Sequence, residues 1–388
     1  MDITRAVQNL YERYPFPPDP VSAAPPPGWN WRWSYSFAHS FCLGARPEPR
    51  GDLRILDAGC GTGVGTEYLA YLNPEATVVA VDLSEASLAI ARRRCTKFAN
   101  VQFQQLSLTD LDQLPGQFDL INCVGVLHHL ADPTAGIRAL AAKLAPGGLL
   151  HIFVYGELGR WEIRLMQEAI RLLAQPDDRL GDGLKVGRAL FEALPDNNRI
   201  KQADQRWILE NHNDACFVDM YLQVQEVRYT IPTLFDLIGA SGLKFLGFSN
   251  PDFWQIDRLV GRVPWLGERA ASLGEQERYR LIELLDPVVA HYEFFLGRPP
   301  LERTVWSDAA IEAALPFRCP YIHPWPEKQV FDHEFRVVDL TDAEFAFLER
   351  SDGRLPVFQI RGEVSLERIR ELLGHFLLQL SPSSTMRA

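Results

Sequence analysis

The chain is short of the residues that mark a secreted, metal-bound or membrane-spanning protein. Its six cysteines, Cys42, Cys60, Cys95, Cys123, Cys216 and Cys319, are scattered through 388 residues with no CxxC pair. That spacing argues against a disulfide framework or a zinc knot, so no metal is expected, and reduced, buried thiols point to the cytoplasm. No stretch offers the roughly 18 consecutive apolar residues of a spanning helix. The N-terminal MDITRAVQNLYERYPFPP lacks the basic region and apolar run of a signal peptide. Positive charge is also scarce: 39 Lys and Arg face 50 Asp and Glu, a net charge of −11. A nucleic-acid backbone or an anionic membrane would be repelled over most of such a surface, whereas a basic protein or a cationic ligand is easier to accommodate. There is no internal repeat, and only PDPVSAAPPP and the tail SPSSTMRA are compositionally biased.

What remains is an ordinary globular composition, 47% hydrophobic and 23% charged, long enough for two or three domains. Between about residues 51 and 155 apolar strands alternate with amphipathic helices: LRILDAG, GVGTEYLAYL, TVVAVDL, SEASLAIARRRC, VQFQQ, FDLINCVGV, AGIRALAAKLA, LLHIFVY. This alternation predicts an α/β fold with a doubly wound sheet. Helical insertions follow at about 156–230 and 251–288, with further strands at LKFLGFS and HYEFFLGRP. The expected domains are a 1–50 N-terminal extension, a 51–300 α/β domain and a 301–388 module read as strand, helix, strand (RLPVFQI), helix. A short helix over 1–13 precedes YERYPFPPDP, whose prolines hold aromatics extended at low entropic cost, as suits a lid.

ILDAGCGTGVG, residues 55–65, follows a strand and opens a helix, a turn that brings backbone close to a ligand. Counting from Gly59, Gly61 or Gly63, a GxGxxG reading meets Val64, Thr66 or Tyr68 where the third glycine should stand, and no GK[ST] follows. Both common nucleotide fingerprints therefore fail. The stretch closely resembles motif I of the class I S-adenosylmethionine-dependent methyltransferases, with Asp57, Gly59, Gly61 and Gly63 in the matching places. The resemblance implies a seven-strand Rossmann-like sheet with S-adenosylmethionine as cofactor and S-adenosylhomocysteine as product. It implies a cofactor site of Asp57, Gly59, Cys60, Gly61 and Gly63, with Asp82 on the ribose hydroxyls and Leu83 against the adenine. Where relatives carry a Gly-Asp pair this chain has Leu106 and Ser107, so Ser107 and the Leu108 amide are expected at the adenine edge. Asn122 and Cys123, at the end of the fourth strand, are expected to line the methyl-transfer site.

His128 and His129 sit next to each other on a turn and point apart, with no HxxxH or carboxylate to complete a metal site. The resemblance makes His128 a loop-ordering or acceptor-facing residue. Catalytic roles are expected for Tyr14, His128, Tyr155 and Glu157, with Tyr11, Tyr14 and Phe16 closing over the cofactor. ENHNDACFVDMYLQVQEVRYT gathers Asn211, His212, Asp214, Asp219, Tyr221, Gln225 and Glu226 as an acceptor pocket. The wider pattern of YPFPP, GWNWRWS, VLHHLADP and HIFVYGELGRWE is similar to a cyanobacterial-type group that includes protein lysine methyltransferases. The C-terminal segment is similar to small winged-helix-like modules. The expected function is methyl transfer to a protein lysine amine. A small-molecule acceptor, a phycobiliprotein-type asparagine and a non-catalytic S-adenosylmethionine sensor are the alternatives.

Overall fold

The computed structural model describes residues 2–22, 29–175 and 178–383, apart from the side chains of 209 and 210. Much of PDPVSAAPPP and most of the SPSSTMRA tail lie outside those residues. The chain forms two compact units: residues 1–22, 54–67 and 77–299, and residues 23–53, 68–76 and 300–388. The first 50 residues therefore divide between the two units instead of forming one extension.

The first unit is built on a seven-stranded sheet of order β3-β2-β1-β4-β5-β7-β6. Its strands are β1 (Arg54–Ala58), β2 (Thr77–Asp82), β3 (Val101–Gln105), β4 (Phe118–Val124), β5 (Leu144–Tyr155), β6 (Lys244–Phe248) and β7 (His291–Gly297). β1 to β5 run parallel, and β7 is inserted antiparallel between β5 and β6. The central strands are buried on both faces, which is why FDLINCV reads as a nearly unbroken apolar run. Local chemistry starts the flanking helices. Ser84 accepts from the Ser87 amide ahead of Glu85–Arg94, Asp132 accepts from the Ala135 amide ahead of Pro133–Lys143, and Thr230 and Thr233 form a capping box on Ile231–Ser241. The expected insertions are present as helices from Trp161 to Tyr221 and from Asp257 to Leu285. Among the described residues no helix is long and apolar enough to cross a membrane.

The second unit holds two antiparallel pairs, β8 (Leu315–Arg318) with β11 (Leu378–Ser381) and β9 (Gln329–Phe331) with β10 (Val337–Asp339). Trp31 is buried against Phe41 and Phe376, at ring-centroid distances of 4.6 and 4.9 Å. RLPVFQI, expected as a strand, instead contains a helical turn, Val357–Ile360, entered through Pro356. Val357 and Ile360, three apart, are both buried on one side of that turn, so period three prevails over strand propensity.

Candidate active site

The glycine loop leaves the end of β1 and enters the helix Val64–Leu72, with Gly59, Gly61 and Gly63 at φ of 84°, 52° and 84°. Only glycine adopts three such left-handed positions in close succession without strain. Five successive amides of the loop are already engaged. Gly59 and Cys60 donate to the Val81 carbonyl, Gly61 to Asp82 Oδ2, Thr62 to the Phe16 carbonyl and Gly63 to the Cys60 carbonyl, at 2.8 to 3.1 Å. A phosphate cradle needs such donors free. This loop instead offers bare backbone flanked by two carboxylates, an acceptor set suited to a cationic, hydroxyl-bearing ligand without phosphate.

Asp57 and Asp82 supply those carboxylates. Asp57, 3% exposed, accepts from Thr66 Oγ1 at 2.6 Å and Asn122 Nδ2 at 2.8 Å; burial pushes its carboxyl up to about 6 against those two bonds. Asp82 accepts from the Ser84 amide at 2.9 Å through Oδ1 and from Gly61 through Oδ2, and burial raises its carboxyl as well. The Leu83 carbonyl receives Gln8 Nε2 and Gln105 Nε2. The Glu12 carboxylate accepts from the amides of Glu85 and Ala86, so the helix Ile3–Arg13 is tied to the first turn of Glu85–Arg94. Ser107 caps the following 3-10 turn through the Thr109 amide, and Leu108 is buried. Cys123 is fully buried, which raises its thiol. A Cβ on Gly63 would meet Ala91, and one on Gly59 would meet Val126, so these two glycines serve packing as well as loop shape.

A polar chain absent from the sequence reading crosses the sheet behind Asp57. Asn122 Oδ1 meets His151 Nδ1 at 2.9 Å, His151 Nε2 meets Glu293 Oε1 at 3.1 Å, and Ser249 Oγ donates to Glu293 Oε2 at 2.6 Å. These residues span β1, β4, β5 and β7 and fix Asp57 from below. The available signal was His151 alone, one polar residue within LLHIFV.

On the acceptor side, His128 is fully buried, with no hydrogen-bond partner for either ring nitrogen among the described residues. Burial first, and then the neighbouring His129 and Arg160, hold it neutral, its pKa well below the usual imidazole value. It stacks on Tyr155 at 3.8 Å, whose ring lies 3.5 Å from the Arg160 guanidinium. Tyr11 donates to Asp219 Oδ1 at 2.8 Å and accepts from Gln223 Nε2. Burial and the Asp219 charge raise both the Tyr11 and Tyr155 phenols, keeping them protonated.

Of the four expected catalytic residues, the structure brings His128 and Tyr155 together. Tyr14 packs in the apolar cluster around Leu10 and Phe217. Glu157 faces Arg228 at 3.1 Å and Arg164 at 3.9 Å as their counter-ion. The expected pocket residues divide among different partners. Asp219 joins Tyr11, and Glu226 pairs with Arg160 and Arg228, while the Gln225 carbonyl meets His129 Nδ1. Asn211 and Tyr221 both turn to Asp204, and His212 and Asp214 are exposed.

A seven-strand sheet of this order, with a glycine loop after its first strand and a carboxylate ending its second, defines a class I methyltransferase fold. A methyltransferase-domain family model matches residues 55–148. The Synechococcus sp. protein syc1184_c is 51% identical over 397 residues, covering 99% of this chain and 94% of its own. The phycocyanin operon protein W of Pseudanabaena tenuis is 61% identical over 92 residues, 24% of this chain and 86% of that protein. PKMT2 from Rickettsia typhi, solved in complex with AdoHcy, superposes with a TM-score of 0.60 at 16% identity, over 92% of this chain and 77% of that one. The chain belongs to the class I S-adenosylmethionine-dependent methyltransferases, and S-adenosylmethionine is its cofactor. Asp57, Asp82, Leu83 and the backbone of the glycine loop are the groups that would hold it.

Proposed function

We propose that this methyltransferase acts on a protein lysine amine. The observation behind the reading is Asp219, a buried carboxylate held by Tyr11 and Gln223 beside Tyr155 and the neutral His128. When bound, S-adenosylmethionine supplies a methyl group activated by its sulfonium. The chain's task is to hold an acceptor lone pair in line and keep water out, and positioning of that kind lowers the barrier without a dedicated acid or base. An amine must lose a proton to present that lone pair, and the neutral nitrogen then gains positive charge as its bond to the methyl forms and the S–CH3 bond breaks. Asp219 faces that charge, the rings of Tyr11 and Tyr155 tolerate it, and His128 offers a neutral nitrogen to an acceptor N–H. The negative net charge favours a basic protein as acceptor, and the six free cysteines suit a reducing cytoplasm.

Incubation of the enzyme with methyl-labelled cofactor and a cell lysate, followed by identification of the labelled residues, tests the assignment. Label on lysine is expected. Asp219→Asn should lower kcat by about 10-fold to 100-fold while leaving cofactor affinity unchanged. Label confined to small molecules or to asparagine would replace the lysine reading, and no label despite cofactor binding would favour a sensor.

A further inference from the structure

Arg94 closes the helix Glu85–Arg94 and is 3% exposed, an unusual place for a guanidinium. Its donors reach two segments remote in sequence. Nε donates to the Thr62 carbonyl at 3.0 Å, Nη1 to the Pro20 carbonyl at 3.0 Å and Nη2 to the Asp19 carbonyl at 2.7 Å. Glu67 lies 3.6 Å away as a buried counter-ion and is shared with Lys97. A hydrophobic residue would fill this helix face without the desolvation of a buried charge, so the guanidinium fixes a geometry that apolar packing would not specify. It acts together with two further links. The Phe16 carbonyl accepts from the Thr62 amide at 3.1 Å, and Thr62 Oγ1 donates to the Pro17 carbonyl at 2.6 Å. A Cβ placed on Gly61 would stand 2.3 Å from the Phe16 carbonyl oxygen, so the strap lies directly on the loop.

We propose that Arg94 is a positioning residue for the cofactor: it clamps the strap formed by residues 16–20 onto the glycine loop and so keeps the loop in its ligand-binding shape. The Val81 carbonyl anchors the loop where it leaves β1, through Gly59 and Cys60. Thr62, at the other end, is held by the strap and by Arg94. Pre-organising both ends raises affinity by removing an ordering cost at binding. The inference rests on the glycine loop being the cofactor site. It assigns no part in methyl transfer to Arg94, so its signature is a change in cofactor affinity without a change in turnover at saturation.

The test uses the full chain with calorimetric titration of S-adenosylhomocysteine and steady-state kinetics at saturating cofactor. Arg94→Met should weaken binding about tenfold, with kcat within about twofold of the parent. Arg94→Lys should fall between, because one ammonium cannot fork to three carbonyls. Thr62→Val removes the hydroxyl link to Pro17 without disturbing a charge, so it carries the test if Arg94→Met does not fold. The double variant Thr62→Val with Arg94→Lys should lose less than the sum of the single losses, since both act through one strap. Unchanged affinity in folded Arg94→Lys, additive losses in the double variant, or a fall in kcat at constant affinity would overturn the proposal.

Discussion

Asp57 shows how burial turns one carboxylate into a pH-dependent element of the cofactor site. Its folded carboxyl, raised from 3.8 to about 6 by burial, holds a proton that the unfolded chain has already lost between those values. The stabilisation from that proton is therefore complete below pH 3.8 and disappears as the pH rises through about 6. The family resemblance implies that Asp57 meets the cationic amino group of the cofactor, which requires the ionised form, so cofactor affinity should change in the opposite sense. Binding is expected to tighten by up to about tenfold per pH unit below 6 and to level off above it. Calorimetry across pH 5 to 8 checks this, and Asp57→Asn should flatten the profile. The places of Asp57, Asp82 and the three glycines, at strand ends and in a turn, were legible in the sequence because they are fixed locally. The Ser107 hydroxyl caps the next turn, a local bond that short polar side chains readily form and that the sequence reading did not include.

The elements carry a second lesson, in how closely the glycine loop is enclosed. Gly63 stands at φ 84°, and an added Cβ would lie 2.8 Å from the Ala91 Cβ and 2.9 Å from its Cα. Gly63→Ala therefore combines a disfavoured backbone with a clash against the helix Glu85–Arg94, and a loss of about 2–4 kcal/mol is expected in denaturant unfolding. The strap is the other enclosing element. Its prolines marked an extended segment in the sequence, while the clamp had no such signal: Arg94 is one of three consecutive arginines in the last turn of a helix. RLPVFQI shows the opposite failure, where β-branched and aromatic content suggested a strand and the buried pair Val357 and Ile360 made a helical turn.

At the scale of the whole molecule, net charge becomes a kinetic property. With a net charge of −11, association with a basic protein acceptor should be steered electrostatically and weaken with salt. Raising ionic strength from about 0.05 to 0.5 M is expected to lower kcat/KM for the protein acceptor several-fold while leaving turnover at saturating acceptor nearly unchanged. Initial-rate assays over that salt range check it, and a rate indifferent to salt would point to a neutral or small acceptor.

By itself the sequence determined the sheet, its flanking helices and the cofactor loop, because hydrophobic periodicity, caps and glycine conformations act within a few residues. It also removed the phosphate readings, through the missing third glycine and lysine, and left the resemblance of ILDAGCGTGVG to the methyltransferase glycine motif to imply the ligand. Only the tertiary structure decided who meets whom on the acceptor side. Tyr11 and Asp219 are 208 residues apart and hydrogen-bonded, whereas Glu157, close in sequence to Tyr155, turns away to its arginines. Such pairings follow from packing and from the need of each buried polar group for a partner, and no local pattern encodes them.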